Sequence, residues 1–183
     1  SMVEWRPLMG TLPPLTAAEW ERVYALYIAS PEYESFNFGM DMAGFKQIFF
    51  WEYFHRLWGR LLGVAFVGPL LFLMLTKRVP NGFGGRLLLL LVLGGTQGVI
   101  GWWMVKSGLS DDATVSQYRL ATHLGMALVI FSLLIWTALD IRHGRAGLPR
   151  GLGFGALTVV AVTILAGALV AGMDAGLLYN EYP

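Results

Sequence analysis

From residue 48 onward the chain is dominated by four apolar runs, at about 48–75, 87–105, 118–139 and 152–173, separated by short charged segments. Each run approaches or exceeds the roughly 20 residues that a helix needs to cross a bilayer. An amphipathic helix of a soluble domain shows a polar face at every turn, whereas LLLLLVLGGTQGVIGWWMV (87–105) carries no charge at all. The pattern predicts four transmembrane helices. Ahead of them, residues 1–45 are polar and acidic, with Glu4, Glu19, Glu21, Glu32, Glu34 and Asp41 against Arg6 and Arg22. Within that segment TAAEWERVYALY follows Pro13 and Pro14 and predicts a short amphipathic helix outside the membrane. Thr16 can cap it with Glu19 three residues on, and Trp20, Val23, Tyr24 and Tyr27 make its apolar face.

Composition agrees with the pattern. Hydrophobic residues make up 56% of 183 and charged residues 14%, against about 25% charged in a soluble domain, and the mean hydropathy is +0.58. A net charge of +1 excludes the basic surface that nucleic-acid binding requires. With no cysteine, disulfides, Cys-ligated zinc, iron–sulfur clusters and covalently attached c-type haem are excluded for this chain. SMVEWRPLMGTLPPLTAAEW has neither the basic start nor the apolar core of a signal peptide. The 76–86 loop holds Lys77, Arg78 and Arg86 without an acid, and the 140–151 loop holds Arg142, Arg145 and Arg150 against Asp140. The 106–117 loop has Lys106 against Asp111 and Asp112. By the positive-inside rule the first two loops are cytoplasmic, and residues 1–45, the 106–117 loop and the C-terminus are extracytoplasmic. Pro69 is expected to kink the first span. The pairs Gly59/Gly63, Gly94/Gly98 and Gly172/Gly176 are expected to let helices approach closely.

Polar residues inside spans are expensive and therefore informative. In FFWEYFHRLWGR (49–60), Glu52, His55, Arg56 and Gly59 fall at i, i+3, i+4 and i+7 and share one helix face. A second intramembrane histidine, His123, lies near the start of the third span. Both spans enter from the outer side, which puts His55 roughly 10–15 Å and His123 roughly 8 Å along their helices at 1.5 Å per residue. Two imidazoles at similar depth can bind a haem iron from opposite faces; the alternative is a pair of hydrogen-bonded structural histidines. Arg56, Arg60, Lys106 and Arg119 could pair with haem propionates or reach the headgroups. His143, in a basic loop, is expected to be a solvated loop residue.

FKQIFFWEYFHRLWGRLLG, GGTQGVIGWWMVKSGL, VSQYRLATHL and GALVAGMDAGLLYNEYP, with SMVEWRP and PPLTAAEWERVYALYIASPEY at the start, closely resemble the haem A synthase family in its alphaproteobacterial and mitochondrial branch. The resemblance implies an all-α polytopic membrane protein of eight helices in two pseudo-symmetric halves, of which this chain would be a fragment carrying helices two to five. It implies oxidation of the C8 methyl of haem O to the formyl group of haem A, for cytochrome oxidase assembly. His55 and His123 match the ligands of the substrate haem, and Glu52, in the E-x-x-H-R pattern, matches the carboxylate implicated in the oxidation. A haem b would sit in the half this chain lacks. The organisation expected is an extracytoplasmic segment at 1–45, three transmembrane helices of the haem-binding half at 46–140, a cytoplasmic basic loop at 141–151, and the first helix of a truncated second half at 152–183. The implied location is the bacterial inner membrane, with haem O, lipid, haem O synthase and an electron donor as partners, and a homo-oligomer compatible with the pattern. The competing reading is a bis-histidine b-type cytochrome that passes electrons and has no use for Glu52.

Overall fold

The computed structural model describes residues 12–107, 115–144, 151–173 and 175. Arg6, Asp111, Asp112, Arg145, Arg150, Gly176 and the terminal stretches SMVEWRP and GLLYNEYP lie outside the described residues. Every element among those described is helical: α1 (Ala17–Ile28), α2 (Pro31–Phe36), α3 (Met42–Leu75), α4 (Gly84–Ser107), α5 (Gln117–His143) and α6 (Leu152–Gly172). The last four are long and apolar enough to cross a membrane. α3, α4 and α5 extend beyond their apolar runs by a few residues, because helical backbone continues past the hydrocarbon until a turn stops it, whereas α6 matches its run to within one residue. Gly82 and Gly144, at φ +78° and +84°, provide two of those turns, in a region of backbone space that side-chain-bearing residues rarely adopt.

Two compact units divide the chain, with boundaries at Pro69/Leu70 in α3 and at Met104/Val105 in α4. The first unit is organised around a headpiece. Thr16 and Glu19 form the expected reciprocal capping box at the start of α1. The Glu19 carboxylate accepts from the Leu15 and Thr16 amides at 2.8 and 3.1 Å, and these bonds hold its pKa below the ordinary carboxylate value. Val23 and Tyr27 of α1 are buried against Phe45 and Phe49 of α3, with Trp20, Tyr24, Tyr33 and Tyr53 packed around them. Tyr27 stacks on Phe45 at 4.8 Å between ring centroids. Its hydroxyl accepts from Asn37 Nδ2 at 2.8 Å, and burial raises its pKa above that of an exposed phenol. Lys46 lies over the Trp20 ring at 5.0 Å. The headpiece is thus built from α1, α2 and the first turns of α3, and the helix runs without a break through positions 45 and 46. It also continues through Pro69.

In the second unit α5 and α6 are the closely packed pair. Gly172 makes the approach that its small size permits: a Cβ there would stand 2.7 Å from the Gln117 backbone. Gly125 faces Leu165 in the same way, at 3.2 Å. At Gly59, Gly63, Gly94 and Gly98, by contrast, a Cβ would meet nothing within 4 Å among the described residues. Small residues permit a contact; they do not supply the neighbour.

Candidate functional site

The polar residues of α3 sit on one side of an otherwise aromatic helix. Phe50, Phe54 and Trp58 stack successively at 6.0 Å and 6.0 Å and are all exposed, as is Trp51. Spaced at i, i+4 and i+8, they form a ladder on a face that only lipid or another apolar surface could cover. Glu52, His55, Arg56, Gly59 and Arg60 turn away from that ladder by the 100° step of the helix. Glu52 Oε2 and Arg56 Nη2 are 4.0 Å apart, with side chains 35% and 17% exposed. One turn of helix therefore neutralises two charges that would each be costly alone in a membrane. His55 stands between them in sequence and is exposed. Gly59, one turn further, offers an open backbone surface.

In the second unit the surroundings of His123 come from α4. Gln97 Nε2 donates to the His123 carbonyl at 3.0 Å. Gly101, one turn along α4 from Gln97, lies against the imidazole: a Cβ at that position would stand 2.9 Å from Cε1, 3.5 Å from Nδ1 and 3.7 Å from Nε2. The missing side chain is what makes room for the ring. Neither residue stands out in the sequence as belonging to the site. The signal was present in the spacing of GGTQGVIG, where Gln97 and Gly101 are an i, i+4 pair, but nothing in the chain says which helix they face.

Two further side-chain ties join α4 to α5. Arg119 Nη1 donates to the Trp103 carbonyl at 2.8 Å, and its guanidinium lies 4.6 Å from the centre of the Trp103 ring. Arg86 and Asp140 form an ion pair at 2.5 Å, in which the Asp140 side chain is 2% exposed, and the Arg86 guanidinium also lies 5.6 Å from the Trp136 ring. The sequence reading counted Arg86 and Asp140 as loop charges; both are helical and mutually neutralised. His143 is the last residue of α5 and exposed, rather than part of a loop. Lys106 is exposed in the last turn of α4, where a cation is favoured by the helix dipole. The groove beside α5, of about 610 Å³ and open on one side, is lined by Tyr118, Thr122, Gly125 and Met126 with Leu93 and Leu165. It is apolar and brings no titratable group beyond a tyrosine.

The model of the COX15-CtaA family, described as cytochrome oxidase assembly protein, matches residues 1–183. Among curated proteins, the chain is 49% identical over its whole length to a haem A synthase of Parvibaculum lavamentivorans, covering 54% of that protein. It is 49% identical to a haem A synthase of Granulibacter bethesdensis, covering 51% of it, and 44% identical to that of Paracoccus denitrificans, again covering 51%. The chain spans about half the length of the curated relatives it matches. No solved structure matches it.

Proposed function

Because this chain belongs to the COX15-CtaA family of cytochrome oxidase assembly proteins, we propose that it contributes the substrate-haem half of a haem A synthase, an oxidoreductase of a bacterial inner membrane. The observation that carries the reading is the α3 polar face. It offers an exposed imidazole at His55, an ion-paired carboxylate at Glu52 one turn away, guanidiniums at Arg56 and Arg60, and open backbone at Gly59. These are the needs of a flat, anionic iron macrocycle: a neutral nitrogen ligand, cations for propionates, and a surface without side chains. His123, cradled against Gly101, is the second ligand on this reading.

The haem iron, when bound, supplies the redox chemistry. Converting the ring methyl of haem O to a formyl group removes two C–H hydrogens at the ring edge, with the oxygen atom and the oxidising equivalents supplied from outside this chain, and Glu52 is the acceptor proposed for the protons. It lies about 4.5 Å of rise from His55 on the same helix face, so with His55 on the iron its carboxylate would stand near the ring edge. Arg56 Nη2, 4.0 Å from that carboxylate, orients it on the helix face it shares with His55. Arg60, Lys106 and Arg119 are the remaining candidates for the propionates. A haem b in the other half, haem O synthase as the supplier of substrate and a separate electron donor belong to the same proposal. So does the orientation: with Arg86 paired to Asp140, Lys77, Arg78 and Arg142 still support α3–α4 and α5–α6 connections in the cytoplasm and a headpiece outside.

The test is substitution of either histidine in the full-length protein, with the haem product identified by chromatography and mass spectrometry. His55→Ala and His123→Ala are each expected to abolish haem A formation. Wild-type product from either variant removes that histidine from the ligand set. An electron-passing cytochrome would need both histidines but would make no haem A.

A further inference from the structure

Gln97 makes one contact and leaves a second unmade. Its Nε2 donates to the carbonyl of His123, and this fixes the orientation of the amide, since only the NH2 end can meet a carbonyl oxygen. The other end, Oε1, is buried and has no hydrogen-bond partner among the described residues. A buried acceptor left in that state costs about 1–3 kcal/mol, so its retention calls for a donor in the working state of the protein. A neighbouring group with a donor to offer is the imidazole of His123, the residue whose carbonyl Gln97 already holds. Its N–C–N edge rests on the backbone at Gly101, with Nδ1 nearer than Nε2 to the position of a Cβ there, on the α4 face that also carries Gln97.

We propose that Gln97 is the positioning residue for His123: its Oε1 accepts the Nδ1–H of the imidazole, fixing the tautomer in which Nε2 keeps its lone pair for a metal. The inference rests on the reading of His123 as a haem ligand. A ligating imidazole whose other N–H is held by an acceptor is oriented and more basic. In this arrangement Gln97 acts at both ends, with Nε2 on the α5 backbone and Oε1 on the ring.

The two ends can be tested separately in the full-length protein titrated with iron protoporphyrin IX, read by Soret absorption and midpoint potential, neither of which requires turnover. The difference from His123→Ala isolates the signal of this site. Gln97→Leu removes donor and acceptor; it is expected to weaken haem binding by about tenfold or more and, at saturating haem, to raise the potential. Gln97→Glu keeps the shape, loses the donor to the His123 carbonyl as Gln97→Leu does, and strengthens the acceptor; it is expected to retain haem binding and to lower the potential. If Gln97 is only a tie between helices, the two variants shift the potential in the same direction or not at all, and that result overturns the proposal. If His123→Ala leaves haem affinity and spectrum unchanged, His123 is not a ligand and the underlying reading fails with it. If His123→Ala abolishes the signal while both Gln97 variants behave as wild type, only the positioning role is lost.

Discussion

At the scale of single residues, Glu52 carries the most consequence. Glu52→Gln preserves size and hydrogen bonding but removes the carboxylate proposed to accept a proton. The expected result is haem bound at the normal ratio with haem A output reduced by about 10²–10⁴-fold, the usual worth of a general base, and with haem O or a partly oxidised product accumulating. Haem content per folded protein and product composition, measured on one preparation, separate this from a role in charge neutralisation, which would lower yield and leave output per molecule intact. A pair of glycine variants tests the cradle. Gly101→Ala drives a Cβ to 2.9 Å from the His123 ring and should cost about 1–3 kcal/mol as overpacking. Gly94→Ala, where a Cβ would meet nothing, should be neutral or stabilising by up to about 1 kcal/mol. Thermal unfolding in detergent reads both. The residues of the α3 face were legible in the sequence because helical spacing alone groups Glu52, His55, Arg56 and Gly59. Gln97 and Gly101 were not, because their role depends on a neighbour 22–26 positions away in the chain.

At the scale of elements, periodicity and capping chemistry are local, and α1 shows how far they reach: its cap at Thr16, its Glu19 and its apolar face all stand as expected. The lowered pKa of Glu19 makes the cap pH-dependent with a definite sign. A carboxylate whose folded pKa lies below its unfolded value stabilises the helix above the unfolded value and loses that contribution as pH falls through the folded one. Near-ultraviolet circular dichroism of the headpiece aromatics should therefore be flat from neutrality down to about the ordinary carboxylate pKa and decline below it, and Glu19→Gln should flatten the decline. The Arg86–Asp140 pair is an element-scale feature that a loop-charge count conceals, since pairing across helices leaves no mark in either segment. Asp140→Asn strands a guanidinium and should destabilise by about 2–3 kcal/mol, the lower side of the range for buried pairs because Arg86 remains partly exposed. Replacing both partners, Arg86→Met with Asp140→Leu, should recover most of that loss in the same unfolding measurement.

At the scale of the whole molecule, the number of helices long and apolar enough to span was readable because the bilayer imposes a length rule on every segment alike. The start of the first span was not. Hydropathy places it near residue 48, yet α3 begins at Met42, and Phe45 and Phe49 are claimed by the headpiece. Aromatic residues score as membrane whether lipid or Tyr27 covers them. At 34 residues and 1.5 Å per residue, α3 is about 51 Å long, well beyond the roughly 30 Å hydrocarbon core, and the excess accommodates the headpiece. The tie between Arg86 and Asp140 also has a meaning in time. The two are 54 positions apart, so at a synthesis rate of about 5–20 residues per second the cation leaves the ribosome roughly 3–10 s before its counter-ion. During that interval Arg86 lacks its Asp140 partner, so α4 is expected to settle fully once α5 is complete, the two helices maturing as one unit. Nascent chains stalled before residue 140 should leave α4 extractable from membranes by alkaline carbonate, and chains stalled beyond α5 should resist.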